Sequence, residues 1–385
     1  MNTLFDDLRP YHQSEIAPAM QRIADSEHFR AMSRFIFPGK EVEDIRRMVR
    51  SIRTTDEFQF QVMYCFNQSV LDQSVDQFTY DGLEHLDPDK CYLFVSNHRD
   101  IMLDSSLTQF MFRRNGFRTT EISFGSNLMS SQLVIDIGKS NKMYTVIRGG
   151  NIRDFYHNSM HLSGYIRYAV TEKKESVWIA QRNGRTKDGN DTTDQGIIKM
   201  FCMSDASDLL RSAEALNLTP LAISYQIEPC DMLKMRELYL SRNGKKYVKQ
   251  PGEDMNSVLT GIMQPKGNIH ISICKPIGRD ELAAIAHAAP NEFHKRVAAL
   301  IDRRIYQGYK LHADNYIAHD IRSGRDTCAV HYTPEQKAGF LTRYEHAVRH
   351  MPDGDMATLR SIYLGIYANP VDKSADAYFS INESG

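Results

Sequence analysis

Residues 92–107 read YLFVSNHRDIMLDSSL, an apolar run that leads directly into Asn97 and His98. The run predicts a buried strand, and the residues after it predict a helix that begins near Asp100, with Asp100 as its N-cap. Asp104 comes four residues later, on the same face of that helix and one turn along. Open α/β sheets form their ligand crevices at the carboxyl ends of strands. The segment therefore predicts an α/β sheet with a candidate site at His98.

Four further apolar runs indicate that this strand is one of several. Because helix-like stretches separate most of the runs, they predict an α/β fold with a mostly parallel central sheet flanked by helices. The runs are KMYTVIR (142–148), SVWIA (176–180), TPLAISYQI (219–227) and NIHISIC (268–274).

Apolar residues at helical spacing before Ser74 and after Lys275 predict helical extensions at both ends of the sheet. We therefore expect three parts along the chain. They are a helical N-terminal segment (1–80), an α/β domain (81–280) and a helical C-terminal extension packed on the body (281–385).

The overall composition is that of an ordinary globular protein. The 385 residues carry 47 basic and 48 acidic side chains, a balance that gives no indication of a nucleic-acid partner. The six cysteines form no C-x-x-C pair, so no metal cage or disulfide framework is predicted and reduced thiols suit a cytosol. The N-terminus lacks a signal-peptide pattern, and no apolar run approaches the roughly 18 residues of a spanning helix. We expect a cytoplasmic protein, soluble or peripheral to a membrane.

A histidine oriented by a carboxylate can take a proton from an alcohol, while the carboxylate stabilises the imidazolium that forms. His98 with Asp104 or Asp100 offers this chemistry. No G-x-S-x-G nucleophile elbow is present, so the activated hydroxyl would belong to the substrate. Taken alone, the segment is explained equally well by a structural histidine beside a helix-capping aspartate.

The letters SNHRDIMLD (96–104) resemble the first signature of the glycerolipid acyltransferase family, which includes the glycerol-3-phosphate and 1-acyl-glycerol-3-phosphate (lysophosphatidate) acyltransferases. In that family the signature is N-H, four residues, then D, and the aspartate orients the histidine as general base. Here Leu103 stands at the usual position and Asp104 follows it. The resemblance implies that His98 is the base, with Asp104 as the favoured partner and Asp100 as the alternative, and it implies a glycerol-3-phosphate acyltransferase-like fold.

Later blocks follow in the order of that family. The segment GKSNKMYTVIRGG (138–150) resembles the second block, which implies that Arg148 binds a phosphate or the acceptor. A guanidinium suits this task because its fork matches phosphate oxygens. The segments TPLAISY (219–225) and GNIHISICKPI (267–277) resemble the last two blocks.

The third block, F-P-E-G-T-R in the family, is only partly matched by WIAQRNGRTKDG (178–189), where Gln181 and Arg182 stand in place of its proline and glutamate. The resemblance implies that Arg182 and Arg185 supply positive charge for a phosphate and that Gly184 permits a tight turn there. A solvated basic turn is the alternative explanation.

Together the blocks imply an O-acyltransferase that moves a fatty acyl group from acyl-CoA or acyl carrier protein to a lysophospholipid or glycerol-phosphate hydroxyl, without a metal or cofactor. Because such substrates are amphiphiles, we expect peripheral contact with the inner face of the membrane, through the N-terminal helices or the region FLTRYEHAVRHMPDG (340–354). Two alternatives stay open. One is a non-catalytic lipid- or carrier-protein-binding protein of the same fold, and the other is an acyltransferase for a non-glycerol lipid.

Overall fold

The structure, a computed structural model, describes residues 3–245, 247–351 and 354–382. The rest of the three expected parts lies outside the described residues: positions 1, 2, 246, 352, 353 and 383–385. Positions 352 and 353 belong to the region FLTRYEHAVRHMPDG. The described strands are β1 Val75–Asp81, β2 Leu93–Ser96, β3 Glu121–Gly125, β4 Met143–Val146, β5 Val177–Ala180, β6 Leu218–Tyr225 and β7 Gly267–Ile273.

All seven strands form one sheet in the order β1-β7-β6-β2-β5-β3-β4. The pairs from β6 through β2, β5 and β3 to β4 are parallel, as is the pair β1 with β7. Only the contact between β6 and β7 is antiparallel. The expected mostly parallel sheet is therefore confirmed, with a two-strand edge that runs in the opposite direction.

Helices cover both faces of this sheet and both ends of the chain, which confirms the expected helical extensions. A π-helical turn at Gln59–Met63 joins α4 to α5. The helices are α1 Gln13–Asp25, α2 Phe29–Ile36, α3 Val42–Ser51, α4 Thr55–Phe58, α5 Tyr64–Ser74, α6 Leu103–Arg114, α7 Gln132–Ser140, α8 Ile152–Thr171, α9 Gln195–Cys202, α10 Leu209–Glu214, α11 Asp231–Ser241, α12 Glu253–Met263, α13 Arg279–Ile285, α14 Pro290–Gln307, α15 Ala313–Ser323, α16 Pro334–Arg349 and α17 Met356–Asn382.

Successive side chains of β2 point to opposite faces of the sheet, as the two-residue period of a strand requires. Phe94 belongs to a core that also contains the N-terminal helices, whereas Leu93 and Val95 belong to a second core with α8, α9 and α14. A third core joins α11 to the C-terminal helices α15–α17. The N-terminal helices thus share their core with the sheet.

Two strands, β1 and β3, are missing from the sequence prediction. The strand β1 lies almost entirely within the segment 1–80, which we expected to be helical. Its sequence VDQFTYD is half polar because it is an edge strand, paired with β7 alone and partly exposed along its length. Without a continuous apolar run, neither strand gives the signal by which the other five are found.

Candidate active site

The turn between β2 and α6, residues 97–102, is held from both sides. On one side, the Asn97 side chain forms two hydrogen bonds with the backbone of Ile223 in β6: Nδ2 donates to the carbonyl at 3.0 Å and Oδ1 accepts from the N–H at 2.8 Å. On the other side, the Thr186 N–H in the loop after β5 donates to the His98 carbonyl at 2.7 Å. Neighbouring strands therefore fix the backbone that carries His98.

His98 contacts Asp104, with Nδ1 of the ring 2.9 Å from Oδ2 of the carboxylate. Asp104 is buried in the first turn of α6, while the His98 side chain keeps 14% of its surface exposed. Nε2 of His98 has no hydrogen-bond partner among the described residues. The carboxylate can only accept, so it places the ring proton on Nδ1 and leaves the Nε2 lone pair free.

Asp104 accepts three further hydrogen bonds that fix its orientation. The N–H groups of Arg99 and Asp100 donate to Oδ2 at 2.6 and 2.9 Å, and the Tyr225 hydroxyl donates to Oδ1 at 2.8 Å. Burial, followed by the charge of Asp104, raises the pKa of Tyr225 well above its usual value, so its hydroxyl remains a donor. Tyr225 is the last residue of β6, and sequence reasoning misses it because strand order cannot be read from the chain.

Asp100 hydrogen-bonds the backbone at the start of α6 and not the imidazole of His98. Its Oδ1 accepts from the N–H groups of Met102 and Leu103 at 2.9 and 2.8 Å; α6 begins at Leu103, and its N-cap is Met102 and not Asp100 as expected. Its Oδ2 is buried against Gly261 of α12 and has no partner among the described residues. Burial, then the charge of Asp104, raises the pKa of Asp100.

Arg99 lies buried between two acidic side chains. Its Nη2 is 2.7 Å from Asp191 Oδ2 and its Nη1 is 3.3 Å from Glu228 Oε2. Lys234 completes the network, because its Nζ donates to Glu228 Oε1 and to the Arg99 carbonyl, each at 2.6 Å. Two cations thus offset two carboxylates, as buried charges require. Burial, the largest influence, would raise the pKa of Asp191, but the Arg99 charge and the hydrogen bonds that the carboxylate accepts together lower it.

Sequence reasoning misses this network because the acidic partners of Arg99 lie 92 and 129 positions along the chain. The network fixes the backbone immediately after His98. On the apolar side of His98, the Trp178 ring lies edge-on with its centroid 6.0 Å away.

The loop after β5 carries the basic residues expected to bind a phosphate. Gly184 adopts the left-handed conformation, with φ of +74°, and is exposed, as a tight turn requires. The Arg182 side chain is partly buried and has no ion-pair or hydrogen-bond partner among the described residues. Gln181, at the position of the family's proline, donates its N–H to the Ser96 carbonyl at 2.7 Å, a bond that proline could not make.

Arg185 and Arg148 occupy different environments. Arg185 is 7% exposed; its Nη2 donates to Ser257 Oγ of α12 at 2.9 Å, and its Nη1 has no partner among the described residues. Arg148 is exposed and its Nη1 donates to the Asn183 side chain in the loop after β5. The structure thus brings Arg148 to the same loop as Arg182, whereas Arg185 is buried against α12 and its charge acts on Asp100.

The C-terminal helix α17 supports this loop. The Asn369 side chain donates to the Asp188 carbonyl at 2.7 Å. Gly189, with φ of +73°, lies so close to the Ile366 carbonyl that a Cβ atom there would be only 2.2 Å from its oxygen. From another direction, Thr193 donates its N–H and its hydroxyl to Asp302 of α14, at 2.8 and 2.6 Å.

Among the described residues, one group of side chains outside this site has the donor types of a metal site. His319, Asp320 and Cys328 place one ligand atom each within 4.8 Å of one another. The Asp320 carboxylate, however, already accepts from the Cys328 N–H, from the Tyr332 hydroxyl at 2.9 Å and from Thr327 at 3.2 Å. These bonds give it a structural role in closing the loop after α15.

Comparison with solved structures finds distant structural likenesses. The crystal structure of the 1-acyl-sn-glycerophosphate (LPA) acyltransferase PlsC from Thermotoga maritima matches over 76% of this chain and 93% of its own, with 12% sequence identity and a TM-score of 0.37. No protein-family model matches the sequence, and no curated protein matches it. Within the described ranges, no helix is long and apolar enough to cross a bilayer.

Proposed function

We propose that this protein is an O-acyltransferase that moves a fatty acyl group from the thioester of acyl-CoA or acyl carrier protein to a hydroxyl of a phospholipid precursor, of the glycerol-3-phosphate or lysophosphatidate type. The observation that carries the proposal is the contact of 2.9 Å between His98 Nδ1 and the buried Asp104, which leaves Nε2 free at the carboxyl end of β2. The order of the sequence blocks around this pair supports the same reaction class.

The proposed reaction uses this geometry. His98 Nε2 removes the proton of the acceptor hydroxyl as its oxygen forms a bond to the thioester carbonyl carbon. The tetrahedral intermediate then collapses, the carbon–sulfur bond breaks, and the imidazolium returns the proton to the departing thiolate. Asp104 stabilises the imidazolium between the two steps, and such general base catalysis typically contributes about 10²- to 10⁴-fold.

Positive charge beside His98 supports a phosphate-bearing acceptor. Arg182 offers a guanidinium with no protein partner among the described residues, and Arg148 approaches the same loop through Asn183. The buried Arg185 has one nitrogen free and holds α12 beside the loop through Ser257. In this arrangement Arg182 and Arg148 bind the phosphate, while Arg185 positions the loop.

The test measures thiol release from acyl-CoA and from acyl carrier protein with a panel of glycerol-phosphate, lysophospholipid and non-glycerol lipid acceptors. We expect wild-type turnover with a phosphate-bearing acceptor and a loss of at least about 100-fold in His98→Ala and His98→Gln. The matched control is His270→Gln, a buried histidine of β7 that hydrogen-bonds Thr79 and should leave turnover unchanged. Turnover that survives both His98 variants would refute the mechanism.

The same assay separates the competing functions. A protein that binds acyl carrier protein or lysolipid, with an affinity unaltered in His98→Ala and without thiol release, would be a non-catalytic binding protein. Turnover restricted to non-glycerol acceptors would instead move the proposal to a different lipid class, as the altered residues Gln181 and Arg182 allow.

A further inference from the structure

An exposed apolar segment lies between β4 and the first turns of α8. Residues 147–157 are all exposed, and they include three large apolar side chains within five positions: Ile152 is 91% exposed, Phe155 70% and Tyr156 53%. No other five-residue window of the described ranges carries three large apolar side chains that are exposed. Exposure of this much apolar surface to water is unfavourable unless a partner covers it.

The segment is ordered by its own hydrogen bonds. Asn151 caps α8 by accepting from the N–H groups of Arg153 and Asp154, and Asp154 accepts from the Asn151 N–H in return. This capping box fixes the start of the helix. Ile152, Phe155 and Tyr156, at positions i, i+3 and i+4, therefore share one helix face.

The charge on this surface is positive. The Arg153 guanidinium has no ion-pair partner among the described residues, and Arg148 is exposed beside it in sequence. The single acidic residue of 147–157, Asp154, is engaged in the capping box. Apolar side chains flanked by arginines match the interface of an anionic bilayer, where the apolar groups enter and the arginines meet lipid phosphates.

The position of the segment connects it to the candidate site. The strands β4, β3, β5 and β2 are mutually parallel, so residues that follow β4 emerge at the same edge of the sheet as His98. Arg148 also contacts Asn183, next to Arg182 in the loop after β5. A bilayer against Ile152 and Phe155 would face the edge at which the reaction is proposed.

We propose that Ile147, Arg148, Ile152, Arg153, Phe155 and Tyr156 form a membrane-docking surface that brings the site to an anionic bilayer, from which it takes an amphiphilic acceptor. The role in substrate supply rests on the proposed function, whereas the binding itself does not. This surface differs from the region 340–354 considered from sequence, because the aromatic residues Phe340 and Tyr344 of that region are buried against Tyr363 and Tyr367.

The experiment measures co-sedimentation of the full chain with phosphatidylcholine vesicles, with and without phosphatidylglycerol. We expect stronger binding to the anionic vesicles that weakens with salt. Ile152→Ser/Phe155→Ser should weaken the affinity by at least about tenfold, and Arg153→Gln by about fivefold. The control is Val330→Ser, an apolar residue that is 88% exposed elsewhere, which should bind as wild type does.

Three results would overturn the docking surface: equal binding by wild type and the double variant, a loss of binding in Val330→Ser as large as in the double variant, or an effect of the double variant on self-association or on acyl-carrier-protein affinity instead of on vesicles.

Turnover measurements separate failure of the docking surface from failure of the proposed function. With a short-chain acyl-CoA and soluble glycerol-3-phosphate, the double variant should turn over as wild type does, and only turnover of vesicle-borne acceptor should fall. Vesicle binding without any thiol release would refute the acyltransferase and leave the docking surface standing.

Discussion

The turn between β2 and α6 and the loop after β5 are neighbours, yet their charged groups are arranged in opposite ways. In the turn and the start of α6, Asp104 accepts four hydrogen bonds and Arg99 is paired with two carboxylates. In the loop, Arg182 lacks a partner and Arg185 has one nitrogen unpaired among the described residues. The turn is preorganised, as proton transfer requires, whereas the loop keeps unpaired cations, as anion binding requires. Under the proposed function, proton transfer and anion binding therefore fall to separate segments.

The sharpest test of this division replaces, one at a time, the two buried aspartates that follow His98, Asp100 in the turn and Asp104 in α6. Asp104→Asn should lower kcat by about 10³-fold, near 4 kcal/mol, because an amide cannot stabilise the imidazolium of His98. Asp100→Asn should change kcat by less than about tenfold, since the raised pKa of Asp100 shows an environment that suits a neutral side chain. Steady-state kinetics, with thermal unfolding to verify folding, measures both. The reverse ranking would make Asp100 the functional carboxylate.

The second test concerns the anchor of the loop. Burial raises the pKa of Asp302 from 3.8 to about 6, although two hydrogen bonds from Thr193 act to lower it. Because the folded state binds this proton more tightly, the carboxyl stabilises the fold at low pH, and that contribution is lost as pH rises from about 4 to about 6. At pH about 8, Asp302→Asn should therefore be more stable than wild type by roughly 3 kcal/mol.

Chemical denaturation at several pH values measures this difference, which should vanish below pH about 4, where Asp302 is protonated in both states. The Asn oxygen can still accept both bonds from Thr193, so the anchor itself is preserved. A difference that does not change with pH would contradict the assignment of the effect to Asp302.

A third test compares two cations in the loop. Arg182→Ala should raise KM for a phosphate-bearing acceptor by about 10- to 30-fold, as loss of a charge-assisted hydrogen bond predicts, with little change in kcat. Lys187→Ala is the matched control, because Lys187 is already paired with Glu237 at 2.6 Å. An equal rise in KM in both variants would show that the loop acts through general charge and not through a free guanidinium.

The smallest expected effect is that of Tyr225→Phe. This change removes one of the four hydrogen bonds to Asp104 and leaves three, so we expect kcat to fall by about three- to tenfold while KM stays constant. Tyr225 is a positioning residue that acts through Asp104. A change in KM alone would place Tyr225 in substrate binding instead.

Much of the fold can be predicted from the sequence, because five strands have continuous apolar runs and the end helices have clear helical spacing. The contact between His98 and Asp104 follows from local spacing and could be predicted as one of two alternatives. The partners of Arg99 and the Tyr225 contact could not, because they depend on which strands become neighbours. The strand β1 could not be predicted for a simpler reason: it is a partly exposed edge strand, and its polar residues hide the alternation of apolar and polar positions that indicates a strand.

The contacts of α17 with the loop after β5 have a consequence for the order of events during synthesis. The ribosome makes α17, residues 356–382, after the sheet and the turn that carries His98. Until α17 emerges, Asp188 and Gly189 lack their contacts with Asn369 and Ile366. A nascent chain that lacks α17 therefore lacks two of the contacts that position the loop proposed to bind the acceptor's phosphate.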